Sequence, residues 1–374
     1  MWALRGQQRA DDCEVVVVGA GLVGAAVAAR LVREGIDTAV LEARTVAGGA
    51  TGRSAGMVLT GLAGHYNWAV SAYGRQQARE VWALTVEGRR RLVETAGRLN
   101  VPLQHTGSLA LAVDGTEAEA LEESAQLLHE DGFDGQFEPH DPLERGFHGA
   151  LRQPDDVTVD PAALTQALLA ESGAIVHEST EVYDLARESD GLRVWALGRT
   201  VICNTVVLAV NGYASLLDSY FADKVAPTRG LVLASEPLSG VALELPCSAD
   251  YGYEYCRQLP NRRLLLGGWR RPVTGGQVTS STEPGDAVRD GLARFASRHF
   301  PEVETEGARR WSGVMGLTPD GLPLLGQLDH LPRVYFAVGL GGRGLAWALV
   351  IAERLVDLIL RGFDPGILAA DRLT

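Results

Sequence analysis

Three glycines and one carboxylate carry the first recognisable chemistry in this sequence. Gly19, Ala20, Gly21, Leu22 and Gly24 fall in the run Val-Val-Val-Val-Gly-Ala-Gly-Leu-Val-Gly, which fills the pattern G-x-G-x-x-G. The first glycine permits a tight turn, the second lets backbone approach a pyrophosphate, and the third lets a helix pack close on a strand. Glu42 stands 21 residues beyond Gly21, at the end of a second apolar run, Ile36 to Leu41. A carboxylate there accepts hydrogen bonds from both ribose hydroxyls of an adenosine and repels a 2′-phosphate. The chemistry implied is recognition of an adenine dinucleotide, NAD or FAD.

Several elements must position these residues. Val15 to Val18 is a β-branched run of strand length, as in a central parallel strand buried on both faces. Ala25, Ala26, Ala28 and Ala29 keep the following helix slim, and Gly35 ends it. A loop from Gly48 to Gly56, with Thr51, Gly52, Arg53, Ser54 and Ala55, offers N–H groups and hydroxyls in a chain that can approach a ligand closely. Asp160-Pro161 starts an amphipathic helix, and strand signals follow at 174–176, 182–185, 192–196 and 206–210. Near the carboxyl end, Trp311-Ser312-Gly313 and the segment 318–326 precede a strand, Val334 to Val338. That strand runs into Gly339-Leu340-Gly341-Gly342-Arg343-Gly344 and a helix reaching Leu360. A glycine turn opening a helix gathers unpaired N–H groups and the positive dipole end at one point. Between these parts, residues 73–99 read as a helix, 108–113 as a strand and 116–129 as an acidic helix. Residues 226–315 alternate like an antiparallel sheet.

Over about residues 12–362 these motifs resemble the D-amino-acid oxidase superfamily, which includes glycine oxidase, monomeric sarcosine oxidase and a γ-glutamylputrescine oxidase-like branch. The resemblance implies an α/β (α+β) fold, in which a Rossmann-like FAD-binding domain is interleaved with a mixed-sheet substrate domain. The expected FAD-binding segments are 12–72, 150–225 and 315–362; the expected substrate-domain segments are 73–149 and 226–314. It also implies that Glu42, Ala43 and Arg44 meet the adenosine, with Val182 and Ala209 beside them. The 48–56 loop would wrap the pyrophosphate, and Gly339, Gly341, Gly342, Arg343 and Gly344 would meet the pyrimidine edge of the flavin. The implied reaction is hydride transfer from the carbon beside an amine to flavin N5, giving an imine that hydrolyses to a carbonyl.

Tyr251, Tyr253, Tyr255 and Arg257 have the spacing of one strand face, which in the family looks towards the flavin. Trp269, Arg270, His65 and Tyr66 are further candidates for contact with substrate. Met315 stands where glycine oxidase clamps a substrate carboxylate with arginine, and Gly342 stands at its second arginine, beside Arg343. The positions used elsewhere to attach flavin hold Arg53 and no cysteine near Gly313, so FAD is expected to bind non-covalently. Leu265 occupies the place of an oxygen-activating lysine, which leaves oxidase and dehydrogenase both open and molecular oxygen a candidate acceptor. An FAD-dependent 2-hydroxy-acid dehydrogenase is an alternative, with His65 as its base. So are a tRNA-modifying flavin enzyme, suggested by Gly342-Arg343-Gly344-Leu345, and a non-catalytic FAD-binding subunit.

Composition narrows the field further. A chain of 374 residues with 46% apolar and 22% charged content is an ordinary globular protein, long enough for two domains at ~150 residues each. A net charge of −13 disfavours nucleic acid or an anionic membrane as partner; the partner that the resemblance implies is a small-molecule amine. The longest apolar run, Val15 to Ala29, is short of the ~18–20 residues that span a bilayer. Cys13, Cys203, Cys247 and Cys256 form no C-x-x-C pair and read as reduced thiols of a cytoplasmic protein without a metal site. Oligomeric state is not written in these features.

Overall fold

A computed structural model of the chain describes residues 10–189, 191–268 and 286–373. Trp269 and Arg270 lie outside the described residues. The first strand, Ala10–Val18, sits centrally in a parallel sheet. It pairs with Thr38–Leu41 on one side and with Arg199–Leu208 on the other. Ile175–His177 and Val334–Val338 extend the parallel arrangement outwards. The hairpin Val182–Glu188 with Gly191–Ala196 adds antiparallel strands beside the first half of Arg199–Leu208. Val16 and Val17 are wholly buried on opposite faces, as the β-branched run requires; each such side chain contributes roughly 1.5–3 kcal/mol.

One face of this sheet carries the helices Leu22–Arg33, Pro161–Ser172 and Gly344–Arg361, and the long helix Arg75–Arg98 crosses over them. Trp347, Ile351 and Leu355 pack there with Val27 and Leu31. Gly88 sets the crossing of the long helix on the C-terminal one: a Cβ there would lie 1.8 Å from the Ala346 carbonyl oxygen. The opposite face is closed by Ala214, Phe221 and Phe336. Among the described residues no helix is long and apolar enough to cross a membrane.

A second sheet has eight strands. Their order is Arg309–Leu317, Ala226–Pro237, Arg263–Gly268, Glu254–Gln258, Cys247–Ala249, Ser108–Leu111, Ala150–Gln153 and Gln136–Glu138. All neighbours are antiparallel except Cys247–Ala249 with Ser108–Leu111. A small third sheet joins Met57–Val58, Val157–Val159 and Leu103–His105 between the two.

The helix read over 73–99 is Arg75–Arg98, and a separate short helix, Tyr66–Tyr73, precedes it, parted from it by Gly74 at φ +80°. Two local readings change. The strand read over 251–258 begins only at Glu254; Asp250, Tyr251 and Gly252 have φ of +50°, +54° and +79°, which no strand tolerates. The stretch read as continuous sheet contains a helix, Asp286–His299, whose Val288, Leu292, Phe295 and Ala296 recur at helical spacing. The four cysteines, distant in sequence, meet in register: Cys13 opposite Cys203 and Cys247 opposite Cys256. None forms a disulfide, and burial pushes the Cys203 thiol up to about 12.

Two glycines of the long helix make opposite predictions. Gly88→Ala forces the helix crossing apart and is expected to cost about 1–3 kcal/mol. Gly97→Ala has open space around its added methyl and is expected to add about 0.5–1 kcal/mol. Urea unfolding of the two variants tests both signs.

Candidate active site

A single continuous cavity of about 480 Å³ runs between the parallel sheet and the second sheet. Its first end is built by the glycine turn. Gly19 adopts φ +101°, and a Cβ there would lie 2.8 Å from the Ala209 carbonyl; at Gly24 it would lie 2.0 Å from the Gly19 carbonyl. Only glycine allows these backbones to meet. The helix Leu22–Arg33 makes its first internal bond from Ala25 N–H to Gly21 O, so the positive end of its dipole faces the cavity that Gly21, Leu22 and Val23 line. Thr51 Oγ1 accepts the Leu22 N–H at 3.1 Å, drawing the second glycine loop over that turn.

Glu42 is buried and fixed from both sides. Its Oε2 accepts the Ala20 N–H at 2.8 Å and its Oε1 the Arg44 N–H at 2.8 Å. Each oxygen keeps a lone pair for a ribose hydroxyl. Ala43, Val182, Leu216 and Leu217 line an apolar slot beside it, where the Arg44 guanidinium stands 5.4 Å from the Tyr213 ring centroid.

The middle of the cavity is held by arginines that donate to backbone. Arg53 Nε reaches Gly48 O at 3.1 Å and its Nη1 reaches Ser312 O at 2.7 Å, while the Trp311 indole N–H returns to Arg53 O at 2.8 Å. Arg257 donates to Ala55 O at 2.8 Å and to Gly56 O and Val159 O at 3.3 Å each. Burial pulls its guanidinium down from the ordinary 12.5 to about 10, with Asp160 opposing. Leu340 N–H donates to Asn211 Oδ1 at 3.1 Å, and Arg343 donates to Thr60 O at 2.6 Å; both set the turn before the C-terminal helix. Gly341, Gly342, Arg343 and Gly344 line the cavity at that helix N-terminus.

Glycine gaps, the buried carboxylate of Glu42 and two helix N-termini on one cavity suit FAD. Gly19, Gly21, Leu22, Glu42, Ala43, Arg44, Thr51, Arg53, Ser54, Ala55, Val182 and Ala209 line it with the C-terminal glycine turn. Ala20, Gly24, Gly52, Gly56 and Gly339 act behind the wall. A Cβ at Gly52 would lie 2.6 Å from Ala47 O, at Gly56 2.2 Å from Val159 O, and at Gly339 2.5 Å from Thr318 Cγ2.

At the far end the sequence candidates separate. Tyr255 and Met315 line the cavity with Met57, Leu59, Ala63, Ser248 and Gly252. Tyr253 is part-exposed in the turn before the strand, and Arg257 is spent on the loop carbonyls. Tyr66 is wholly buried, its hydroxyl donating to Asp131 Oδ2 at 2.8 Å. His65 is not a solvated loop residue: buried, it lies 3.0 Å from Glu117 Oε1 and stacks at 5.0 Å on Tyr251. Glu117, wholly buried, also accepts the Tyr251 N–H at 2.5 Å and the Val113 N–H at 2.9 Å. One carboxylate thus ties together the 61–65 loop, the helix Gly115–Glu130 and the strained 250–252 turn. Gly252 rests on the loop, where a Cβ would lie 2.7 Å from Ala63 O. Nothing in the spacing of Glu117 or Ser248 singled them out beforehand. Glu117 reads as a routine first-turn acid of a helix, and Ser248 sits in a three-residue strand.

A parallel sheet with its glycine turn and a buried acid at the end of the second strand, roofed by a second sheet over one long cavity, is the architecture of a dinucleotide-dependent enzyme. The family model described as FAD dependent oxidoreductase matches residues 14–358, and the chain belongs to this family of FAD-dependent oxidoreductases. It is 26% identical over 366 residues to gamma-glutamylputrescine oxidoreductase of Escherichia coli (strain K12), spanning 94% of this chain and 84% of that one. It is 28% identical over 372 residues to glycine oxidase of Geobacillus kaustophilus (strain HTA426), spanning 93% of each. A crystal structure of glycine oxidase from Geobacillus kaustophilus superposes with a TM-score of 0.81 at 24% identity, covering 96% of this chain and 98% of that one.

Two substitutions test the site. Glu42→Ala removes the acceptor of two backbone N–H groups and of the ribose, and is expected to weaken FAD retention about 10–100-fold, at ~1.5–3 kcal/mol per charge-assisted bond; flavin fluorescence released on dilution measures it. Glu117→Gln preserves shape but cannot accept all three bonds. The KM for any substrate that reduces the flavin is expected to rise about 3–10-fold, at ~0.5–1.5 kcal/mol per lost bond, with flavin content unchanged.

Proposed function

We propose that the protein oxidises a small amine or amino acid, removing hydride from the carbon beside nitrogen and releasing an imine that hydrolyses to a carbonyl. FAD bound non-covalently supplies the hydride acceptor at N5 and so carries the hard step. The protein then has three tasks: to fix the C–H bond, to keep the amine neutral by excluding water, and to face the electron-rich edge of the flavin with positive potential. The apolar wall of Met57, Leu59, Ala63 and Met315 serves the first two. The N-terminus of the C-terminal helix, behind Gly341 and Gly342, serves the third.

The observation that carries this reading over an alcohol substrate is the state of His65. A hydroxy acid needs a base for its hydroxyl, and the residue foreseen for that task is buried against Glu117 and is not among the residues that line the cavity. A neutral amine has its own lone pair to drive hydride loss and needs none. The likeness to a gamma-glutamylputrescine oxidoreductase and to a glycine oxidase supports the same substrate class.

The test is anaerobic titration of the purified flavoprotein with primary amines, secondary amines, amino acids, 2-hydroxy acids and tRNA in turn. Bleaching of the flavin band near ~450 nm by at least one amine or amino acid is expected, because reduction removes the oxidised flavin chromophore. Bleaching by a hydroxy acid or tRNA alone would overturn the proposal. Peroxide formed when air is admitted separates an oxidase from a dehydrogenase.

A further inference from the structure

The second sheet presents one row of side chains to the cavity. Val232 pairs with Gly267, Gly267 with Tyr255, and Tyr255 with Ser248, each directly across from the next. Direct cross-strand partners share a face. Gly267 is where the row gives way: a Cβ there would lie 2.2 Å from Tyr255 Cζ and 2.3 Å from its Oη. The Tyr255 ring therefore lies across the glycine strand, leaning away from Ser248 on its other side. Met315 is seated similarly, with its Cε 3.0 Å from where a Gly230 Cβ would stand.

This leaves Ser248 facing the cavity with nothing laid over it. The residue is 6% exposed, and among the described residues its hydroxyl has no hydrogen-bond partner. A hydroxyl that opens on a cavity is available to a ligand or to water. Its companions at this end, Met57, Leu59, Ala63 and Met315, are apolar. Of the arginines on the described wall near them, Arg53 donates to Ser312 O and Gly48 O, and Arg343 donates to Thr60 O. A carboxylate placed beside Ser248 would be desolvated among apolar groups, whereas a neutral hydrogen-bonding group would be matched.

We propose that Ser248 is a specificity-determining substrate contact, and that the substrate is an amine whose non-reacting part carries an uncharged hydrogen-bonding group, a hydroxyl or amide carbonyl, on an alkyl chain. The inference rests on the amine-oxidation reading and adds to it what the rest of the substrate looks like. The hydroxyl of Ser248 donates to or accepts from that group, while the Tyr255 ring and Met315 enclose the alkyl portion.

The experiment uses the FAD-loaded full chain and anaerobic flavin reduction by three matched probes: an n-alkylamine, the ω-hydroxy amine of equal length, and the α-amino acid of equal length. The wild type is expected to favour the hydroxy amine over the alkylamine at least 10-fold in apparent kcat/KM, and over the amino acid as well. Ser248→Ala is expected to bring the hydroxy amine to alkylamine ratio close to one, and Ser248→Thr, which keeps the hydroxyl, to preserve it. Flavin content and melting temperature of each variant verify folding. A ratio in Ser248→Ala equal to that of the wild type, or a wild type that prefers the amino acid, would overturn the assignment while leaving amine oxidation standing. Failure of every amine and amino acid to bleach the flavin would overturn both.

Discussion

The cavity depends on two arginines that spend their charge on backbone. Arg257, on the second sheet, donates to the carbonyls of Ala55, Gly56 and Val159. Arg53, on the glycine loop, donates to the carbonyl of Ser312 on the edge strand of that sheet. Together they fasten the nucleotide-binding half to its roof at the level where a flavin must lie. Burying a guanidinium is expensive, and burial lowers the pKa of Arg257. Asp160 and the three carbonyls that Arg257 Nη1 reaches offset part of that cost. A loop of this glycine content would otherwise have many conformations, and the arginines select one.

Close backbone approach is the second constraint, and it explains why glycine recurs at both ends of the cavity. At Gly19, Gly24, Gly56 and Gly252 a methyl group would collide with a carbonyl oxygen. At Gly267 and Gly230 the space goes to a neighbouring side chain instead. The first use builds a cofactor cradle from backbone alone. The second gives Tyr255 and Met315 room on the cavity wall without widening the sheet.

Much of the cofactor half was legible beforehand. The Val15–Val18 run, the G-x-G-x-x-G turn and Glu42 lie within one continuous βαβ unit, so their geometry is local and their spacing carries it. The same holds for the 339–344 turn, where a strand feeds directly into a helix. The substrate half was legible only in part. Tyr251 to Arg257 read as one strand because the residues alternate, yet Glu117 pulls Tyr251 into a left-handed turn and only Tyr255 of that set reaches the cavity. Alternation reports a possible face; it does not report what a buried carboxylate on another element will capture.

The sequence by itself determined that this chain binds an adenine dinucleotide, because that recognition uses short-range backbone geometry written in glycine and one acid. Tertiary structure alone decided that His65 faces Glu117 and not substrate, that Arg257 is a fastener, and that Ser248 stands open at the end of the cavity. The His65–Glu117 and Arg257–Ala55 contacts join residues 52 and 202 positions apart, on separate sheets, helices and loops. Such pairings follow from which faces the packing turns inward, and no spacing in the chain encodes them.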